Sequence, residues 1–217
     1  MEILTFTGQG FGENAYLAVC EESRSCVAID PGAGAGALCR AVDAGGLNLE
    51  AIFLTHAHLD HIEGVSTVRD HHPDVPIWLH PDDLLLYRGA PRQAAMFGLS
   101  ADPQPEPTHE IVPGVDLTFG SCAFEVRFAP GHAPGHVVFV APDEGLALVG
   151  DVVFQGSIGR SDLPGGDLQT LMKSIRQQVL TLPDEITLYP GHGPATTVGR
   201  ERATNPFLIP HYGGELA

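Results

Sequence analysis

The 217-residue sequence has no apolar run near the roughly 20 residues that a helix needs to cross a bilayer. Its first residues, Met1-Glu2-Ile3, show no basic stretch followed by an apolar one, as a secretory signal peptide would. These absences argue against a membrane partner and predict a cytoplasmic protein. They also disfavour a secreted protein.

Basic residues are scarce, because 11 Lys and Arg stand against 27 Asp and Glu, for a formal net charge of −16. Proteins that bind nucleic acid neutralise its phosphates through many Lys and Arg contacts. The charge balance therefore argues against a nucleic-acid partner. It leaves open a small anionic substrate, which one or two well-placed cationic side chains can hold.

The sequence contains no Cys-x-x-Cys pair, and its four cysteines lie apart from the histidines discussed below. They are Cys20, Cys26, Cys39 and Cys122. Thiols of cytoplasmic proteins stay reduced and are mostly buried. The sequence therefore predicts four reduced thiols and no cysteine nucleophile.

No internal repeat or low-complexity linker divides the sequence, which favours a single domain over residues 1–217. Apolar or alternating segments bounded by turn residues predict strands. The predicted strands are Glu2–Thr7, Asn14–Cys20, Ser25–Asp30, Ala51–Thr55, Ile77–Leu79, Val115–Phe119, Ala123–Phe128, His136–Ala141, Leu146–Val149 and Ile186–Tyr189.

Helices are predicted between these strands. Ala37–Ala44 has helical spacing and a stop at Gly45, and Asp82–Phe97 is also predicted to be helical. Asp167 is predicted to cap a helix. The buried face of that helix is predicted to consist of Leu168, Leu171, Met172, Ile175 and Val179. This order of elements suits a four-layer αββα sandwich of the α/β class, with an ordinary open α/β sheet as the alternative.

The strongest functional signal is the segment from Thr55 to His61, which follows directly on a predicted strand. Residues two apart point the same way in extended chain, so His56, His58 and Asp60 can converge on one side. If the chain then turns into a helix, His61 stays close to His58. Imidazole and carboxylate groups are the ligands of Zn²⁺-type ions. The segment therefore predicts a metal site.

Three further candidate ligands, His132, Asp151 and His192, each follow a predicted strand and stand beside glycine. Each is weak evidence alone, because buried polar residues more often have a structural role. Together they predict a site assembled at one edge of the sheets, on loops held by rigid strands. His136 lies at the start of an apolar strand, and we interpret it as structural.

With these residues, the chain resembles the metallo-β-lactamase superfamily, and within it the small bacterial glyoxalase II-like (hydroxyacylglutathione hydrolase-like) hydrolases. The His-x-His-x-Asp-His motif is highly specific for the superfamily. Gly150-Asp151-Val152-Val153-Phe154 and Gly159-Arg160-Ser161-Asp162 are typical of the glyoxalase II and persulfide dioxygenase branch. The correspondence runs from Asn14 to Leu208, and it implies the αββα sandwich.

The resemblance implies two divalent metal ions, with Zn²⁺ favoured and iron or manganese also suited to these ligands. The implied ligands are His56, His58 and His132 at the first ion, Asp60, His61 and His192 at the second, and Asp151 at both. Asp60 and Asp151 are the expected catalytic carboxylates, ionised beside the cations. The resemblance implies a binuclear hydrolase in which a metal-bound hydroxide attacks a small thioester such as S-D-lactoylglutathione.

The resemblance also assigns a substrate-binding role to Arg160, as the contact of a glutathione carboxylate. An arginine at this position suits a surface ion pair with Asp162 or Asp167 equally well. Only 25 residues follow His192, too few for the helical domain with which glyoxalase II binds glutathione. Gly193 also stands where that family has a tyrosine, so glutathione specificity stays open.

Three alternatives remain from the sequence. A mononuclear iron persulfide dioxygenase would use His56, His132 and Asp151 and leave the second set of ligands empty. A lactonase would use the same hydrolytic centre. A metal-binding or partner-binding module of the same fold would have no enzymatic activity. The sequence also leaves the oligomeric state open.

Overall fold

The computed structural model describes residues 1–209. Residues 210–217 lie outside the described part, and His211, to which the sequence assigns no role, is among them. One domain over residues 1–217 stays a prediction. All four cysteines are free thiols, and three of them are buried. Within residues 1–209, no helix has both the length and the apolar character to span a bilayer.

Most of the described chain forms short strands and helices. The strands are β1 (Glu2–Thr7), β2 (Asn14–Cys20), β3 (Ser25–Ile29), β4 (Asn48–Phe53), β5 (Ile77–Leu79), β6 (His109–Glu110), β7 (Leu117–Phe119), β8 (Cys122–Phe128), β9 (Val137–Ala141), β10 (Leu146–Gly150), β11 (Val153–Phe154), β12 (Ser157–Ile158), β13 (Thr187–Pro190) and β14 (Thr196–Thr197). The helices are α1 (Ala35–Gly45), α2 (Leu59–Ile62), α3 (Val65–His71), α4 (Leu84–Arg88), α5 (Ala90–Met96), α6 (Leu168–Ser174) and α7 (Val198–Thr204).

The strands form two six-stranded sheets and a small hairpin of β11 and β12. The first sheet has the order β1-β2-β3-β4-β5-β6, and the second has the order β14-β13-β10-β9-β8-β7. In the second sheet β13 lies parallel to β10, while β9 is antiparallel to both β8 and β10. Strands β8, β10 and β13 therefore all end at the same edge.

Three separate apolar clusters show that the sheets and helices form four layers. In β2, Leu17 packs on the helix side of the first sheet, whereas Tyr16 faces the second sheet, as the period of two in a strand requires. In the third cluster, Leu171 of α6 and Ile175 directly after it pack against the outer face of the second sheet. The predicted four-layer αββα sandwich is confirmed, and the open sheet is excluded.

The prediction of one continuous helix over Asp82–Phe97 is wrong. A 3₁₀ turn over Pro81–Asp83 leads into α4, and α5 starts afresh at Ala90. Pro91 lacks the N–H that would continue the hydrogen bonding of α4, so the chain breaks at Gly89. At the other predicted stop, Gly46 rather than Gly45 takes the left-handed conformation that ends α1, with a φ of 56°.

The helix capped by Asp167 exists, and the Asp167 carboxylate accepts a hydrogen bond from the Thr170 N–H at 2.7 Å. It continues beyond α6 as a π-helical turn over Ile175–Val179. Placing Leu168 on its buried face is wrong, because that side chain is 53% exposed. Leu168 is the first residue of the helix, where the chain has not yet reached the sheet.

This difference gives a stability prediction. Leu171→Ala is expected to destabilise the protein by about 2–5 kcal/mol, because it leaves a cavity in a fully buried position. Leu168→Ala, the matched control one turn earlier, is expected to change the free energy of unfolding by less than about 0.5 kcal/mol. Urea unfolding of both variants measures these values. Equal losses would mean that the N-terminal turn of α6 is packed as tightly as its centre.

Candidate metal centre

The seven predicted ligands meet at one edge of the sandwich, in the loops that follow four strand ends. The loop after β4 carries His56 to His61, and the loops after β8, β10 and β13 carry His132, Asp151 and His192. The two sheets are tied together at this edge, since the Val137 N–H donates to the Thr55 carbonyl at 2.8 Å. Separate parts of the sequence therefore supply one site.

The first group of side chains consists of His56, His58 and His132. One ring nitrogen from each lies within 4.8 Å of the others, which is close enough for all three to hold one ion. His58 Nδ1 and His132 Nε2 are 2.7 Å apart. All three side chains are buried.

The second group consists of Asp60, His61 and His192, whose donor atoms also lie within 4.8 Å of one another. His192 Nε2 is 3.1 Å from Asp60 Oδ2, and His61 Nε2 is 3.7 Å from the same oxygen. Two imidazoles and a carboxylate form a donor set that suits Zn²⁺, iron or manganese.

Asp151 lies between the two groups. Its Oδ1 is 3.4 Å from His61 Nε2 in the second group, and its Oδ2 is 3.4 Å from His132 Nε2 in the first. Oδ2 is also 3.6 Å from His192 Nε2. One carboxylate thus faces both groups, which is the position that a bridging ligand needs.

Two buried polar atoms support metal binding independently of the spacing. His56 Nε2 and Asp151 Oδ1 are buried and have no hydrogen-bond partner among residues 1–209. Leaving a buried polar atom unpaired costs about 1–3 kcal/mol, and more for a charged group. A cation next to these atoms removes that cost, so the residues present fit divalent metal ions.

The histidines of the first group are held neutral. Burial and the neighbouring His132 together lower the pKa of His58 to about 3. Burial also lowers the pKa of His132 and puts the pKa of His56 well below its ordinary value. Neutral imidazole is the form that binds metal, so these side chains need to lose no proton at neutral pH.

The carboxylates are held ionised. Burial alone would raise the pKa of Asp151, but His61, His132 and His192 keep it far below its ordinary value. Burial would also raise the pKa of Asp60, but His61 and His192 together lower it below its ordinary value. Burial would lower the pKa of His61, but Asp151 and Asp60 raise it well above its ordinary value. The ionised carboxylates therefore give the second group a negative electrostatic potential, which attracts cations.

Two further residues orient the ligands. His136 Nε2 accepts a hydrogen bond from the Asp151 N–H at 3.0 Å, and its ring stacks on His56 with centroids 4.7 Å apart. This contact agrees with the structural role expected for His136. The Arg160 carbonyl lies 2.7 Å from His132 Nδ1, which leaves His132 Nε2 free to face the site.

Asp30 is a residue of the site that the sequence did not single out. Its carboxylate accepts from the Thr55 N–H at 2.7 Å and the Thr55 hydroxyl at 2.6 Å, and Oδ2 lies 3.3 Å from His61 Nδ1. Asp30 also takes a φ of 48°, in the left-handed region that is uncommon outside glycine. The predicted strand Ser25–Asp30 ends at this residue, and the sequence gives no signal for its contacts with the site.

A cavity of about 330 Å³ opens beside the ligands. Its apolar wall is formed by Phe11, Leu59, Phe97, Phe154, Ile158 and Leu163. The hairpin that carries Phe154 and Ile158 is held by Glu201, whose buried carboxylate accepts from the Gly156 N–H at 2.8 Å. The sequence offered no signal for this role of Glu201.

Arg160 stands at the rim of this cavity. Its guanidinium donates to both carboxylate oxygens of Asp162, at 2.7 and 2.8 Å. Both side chains are more than half exposed. The surface ion pair expected as the alternative is therefore present, and its place at the rim leaves the guanidinium within reach of a ligand in the cavity.

The chain resembles characterised proteins over nearly its whole length. Residues 8–192 match the family described as the Metallo-beta-lactamase superfamily. The chain is 38% identical over 210 residues to the hydroxyacylglutathione hydrolase GloC of Haemophilus influenzae, which covers 96% of this chain and 97% of that protein.

Two solved structures have a fold similar to that of this chain. TTHA1623 in a di-iron-bound form is 42% identical, with a TM-score of 0.86 over 94% of this chain and 100% of that one. The BLEG-1 B3 metallo-beta-lactamase is 35% identical, with a TM-score of 0.89 over 96% of this chain and 100% of that one. The family match includes every loop of the metal centre, and this chain is a metal-dependent hydrolase that belongs to the metallo-beta-lactamase superfamily.

Proposed function

We propose that this protein hydrolyses a small thioester of the S-D-lactoylglutathione type at a binuclear metal centre. The observation that carries the proposal is the position of Asp151, whose two oxygens face both groups of ligands. The implied substrate class is supported by the similarity to a protein named hydroxyacylglutathione hydrolase. The first ion would be held by His56, His58 and His132, the second by Asp60, His61 and His192, and both by Asp151.

Metal ions at such a centre lower the pKa of water towards neutrality and polarise the carbonyl under attack. The side chains prepare the centre for this chemistry, because the carboxylates of Asp60 and Asp151 are ionised and the first-group histidines are neutral. The apolar wall of the cavity keeps bulk water from the reacting carbonyl.

Zn²⁺ is the metal that we propose first. Iron is the second candidate, because a structure 42% identical to this chain was solved in a di-iron-bound form. A cytoplasmic location and the lack of nucleic-acid and membrane partners remain our expectations from the sequence.

Metal analysis of the purified protein beside an S-D-lactoylglutathione assay tests the proposal. We expect about two zinc or iron ions per chain together with thioester turnover. Zinc without turnover of any thioester would remove the proposed substrate class. One iron per chain with oxygen uptake on a persulfide would identify a dioxygenase instead, and faster cleavage of lactones than of thioesters would identify a lactonase.

The role of Arg160 is tested by Arg160→Ala. We expect KM for S-D-lactoylglutathione to rise about tenfold, the equivalent of about 1.4 kcal/mol, because a charge-assisted hydrogen bond to the substrate carboxylate is lost. The kcat should change less than about twofold, since this contact is made equally in the ground and transition states. Steady-state kinetics measures both constants.

Asp162→Asn is the matched control for this variant. It removes the carboxylate that pairs with Arg160 and leaves the guanidinium in place, so KM should stay the same or fall. An unchanged KM in Arg160→Ala would show that Arg160 serves only the surface ion pair.

A further inference from the structure

The segment from Pro81 to Met96 packs behind the metal centre and contributes a buried carboxylate, that of Asp83. Asp83 Oδ2 accepts a hydrogen bond from the Ala57 N–H at 2.9 Å, and Oδ1 accepts one from the Gly135 N–H at 2.5 Å. Ala57 lies between His56 and His58, and Gly135 follows His132 by three residues. One side chain thus joins the two loops that supply the first group of ligands.

The local structure shows that this contact is not helix capping. Asp83 precedes α4 at the N-cap position, where an aspartate ordinarily accepts hydrogen bonds from its own helix. Its side chain makes no such bond, and both oxygens are used by the two ligand loops. Asp83 is fully buried, and no cation pairs with it among residues 1–209. Burying an unpaired carboxylate is costly, so its position calls for a compensating role.

Gly135 is the residue that allows the carboxylate to reach both loops. A Cβ at this position would lie 2.7 Å from the Asp83 backbone nitrogen, 2.9 Å from its Cβ and 3.0 Å from its Cγ. Real Cβ atoms do not come this close to backbone atoms, so any larger residue would push the two segments apart. The sequence therefore provides a glycine at the point of contact.

Gln93, a second residue of the Pro81–Met96 segment, also binds the backbone around His58. Gln93 Nε2 donates to the Ala57 carbonyl at 2.9 Å, and Gln93 Oε1 accepts from the Leu59 N–H at 3.0 Å. Asp83 and Gln93 together hold the backbone on both sides of His58. The second group of ligands is held by different residues, since Asp30 contacts His61 and Asn14 donates to the carbonyls of Pro190 and Gly193 around His192.

We propose that Asp83 is a positioning residue for the first metal site, whose carboxylate sets the spacing between the His56–His58 turn and the His132 loop. The inference rests on the proposed metal centre but needs no particular substrate. Residues that orient metal ligands typically change metal affinity by about 10–100-fold when they are replaced. The larger effect is expected at the first site, because both oxygens of Asp83 bind backbone beside first-group ligands. Asp60 and His61 of the second group lie further along the His56–His61 segment, and Asp83 makes no hydrogen bond to the His192 loop within residues 1–209.

The test uses zinc titration of the full chain against a chromophoric chelator, in two backgrounds. His192→Ala weakens the second site, so the zinc affinity that remains is that of the first site. His132→Ala weakens the first site, so the zinc affinity that remains is that of the second. Asp83→Asn keeps the shape of the side chain but turns one acceptor into an N–H₂ group that faces an N–H donor. We expect it to weaken zinc binding about 10–100-fold in the His192→Ala background and less than about threefold in the His132→Ala background.

Two further variants make the result decisive. Asp82→Asn changes the neighbouring carboxylate, which is 60% exposed, and should leave both affinities as they are. Gly135→Ala displaces Asp83 without altering it, and should reproduce the selective loss at the first site even if Asp83→Asn does not fold. Unchanged zinc affinity in Asp83→Asn and Gly135→Ala, or an equal loss in both backgrounds, overturns the proposal. Because the readout is zinc binding, absence of thioester turnover in the wild type would reject the proposed substrate but not this role of Asp83.

Discussion

Asp151→Asn is expected to reduce kcat for thioester hydrolysis by about 10³-fold, the equivalent of about 4 kcal/mol. Asparagine has the same shape, but it is neutral and replaces one oxygen by an N–H₂ group. It can therefore not face both groups of ligands with negative charge, as Asp151 does through contacts with His61, His132 and His192.

The measurement combines kcat with the metal content of the purified variant. We expect the metal content to fall below two ions per chain together with the rate. Asp143→Asn is the matched control, because Asp143 is an exposed aspartate in the turn before β10, whereas Asp151 follows the other end of that strand. It should leave both quantities unchanged. A variant Asp151→Asn that keeps two ions and loses less than about threefold in kcat would refute the bridging role and favour a non-enzymatic or differently organised centre.

Gly191→Ala is expected to have the second largest effect, a loss of about 10²-fold in kcat. A Cβ at this position would lie only 2.0 Å from Asp151 Oδ1 and 2.6 Å from His61 Cε1. Neither atom can yield without moving a proposed ligand, and a displacement of about 1 Å at a reacting centre can cost 10²-fold in rate. Metal analysis should show loss from the second group of ligands, which contains His61 and His192.

Gly193→Ala is the control on the other side of His192. Gly193 has a φ of 75°, and no atom lies within 4 Å of its Cβ position. Alanine there costs about 1–2 kcal/mol of backbone strain but meets no ligand. We expect a lower melting temperature with two metal ions retained. If both variants lose metal equally, the clash at Gly191 is not the cause, and backbone freedom around His192 is what the site requires.

The sequence predicted most of the strands because the alternation of apolar residues is local, whereas the αββα sandwich was favoured over an open sheet by the resemblance to the superfamily. Leu17 and Tyr16 point to opposite faces of β2 whatever the rest of the chain does, and such strands need covering layers on both sides. Local patterns were less successful at element ends. The break at Gly89 follows from Pro91, which was visible in the sequence but was outweighed by helical spacing. The exposure of Leu168 depends on where the helix meets the sheet, which spacing alone does not show.

In the candidate site too, some residues could be recognised from the sequence and others could not. The segment from His56 to His61 was recognisable because its ligand-type residues lie within six positions after a strand, so that backbone geometry brings them together. Asp30 and Asp83 were not recognisable, although both carboxylates are buried against the ligand loops. Each is separated from the backbone it holds by 25 residues or more along the chain. Asp30 also stands beside Pro31, a pairing that is typical of a turn.

By itself, the sequence determined the order of strands and helices, the acidic character of the chain and the choice of ligand-type side chains. Those properties depend on residue type and on neighbours within a few positions. Only the tertiary structure decided that Asp151 faces both groups of ligands, that Gly191 leaves room for it, and that Asp83 joins the two ligand loops. The contact of Asp151 with His61 requires the two sheets to close on each other, whereas the approach of Gly191 to Asp151 requires β13 to pair with β10. Both arrangements bring together residues that no local pattern connects.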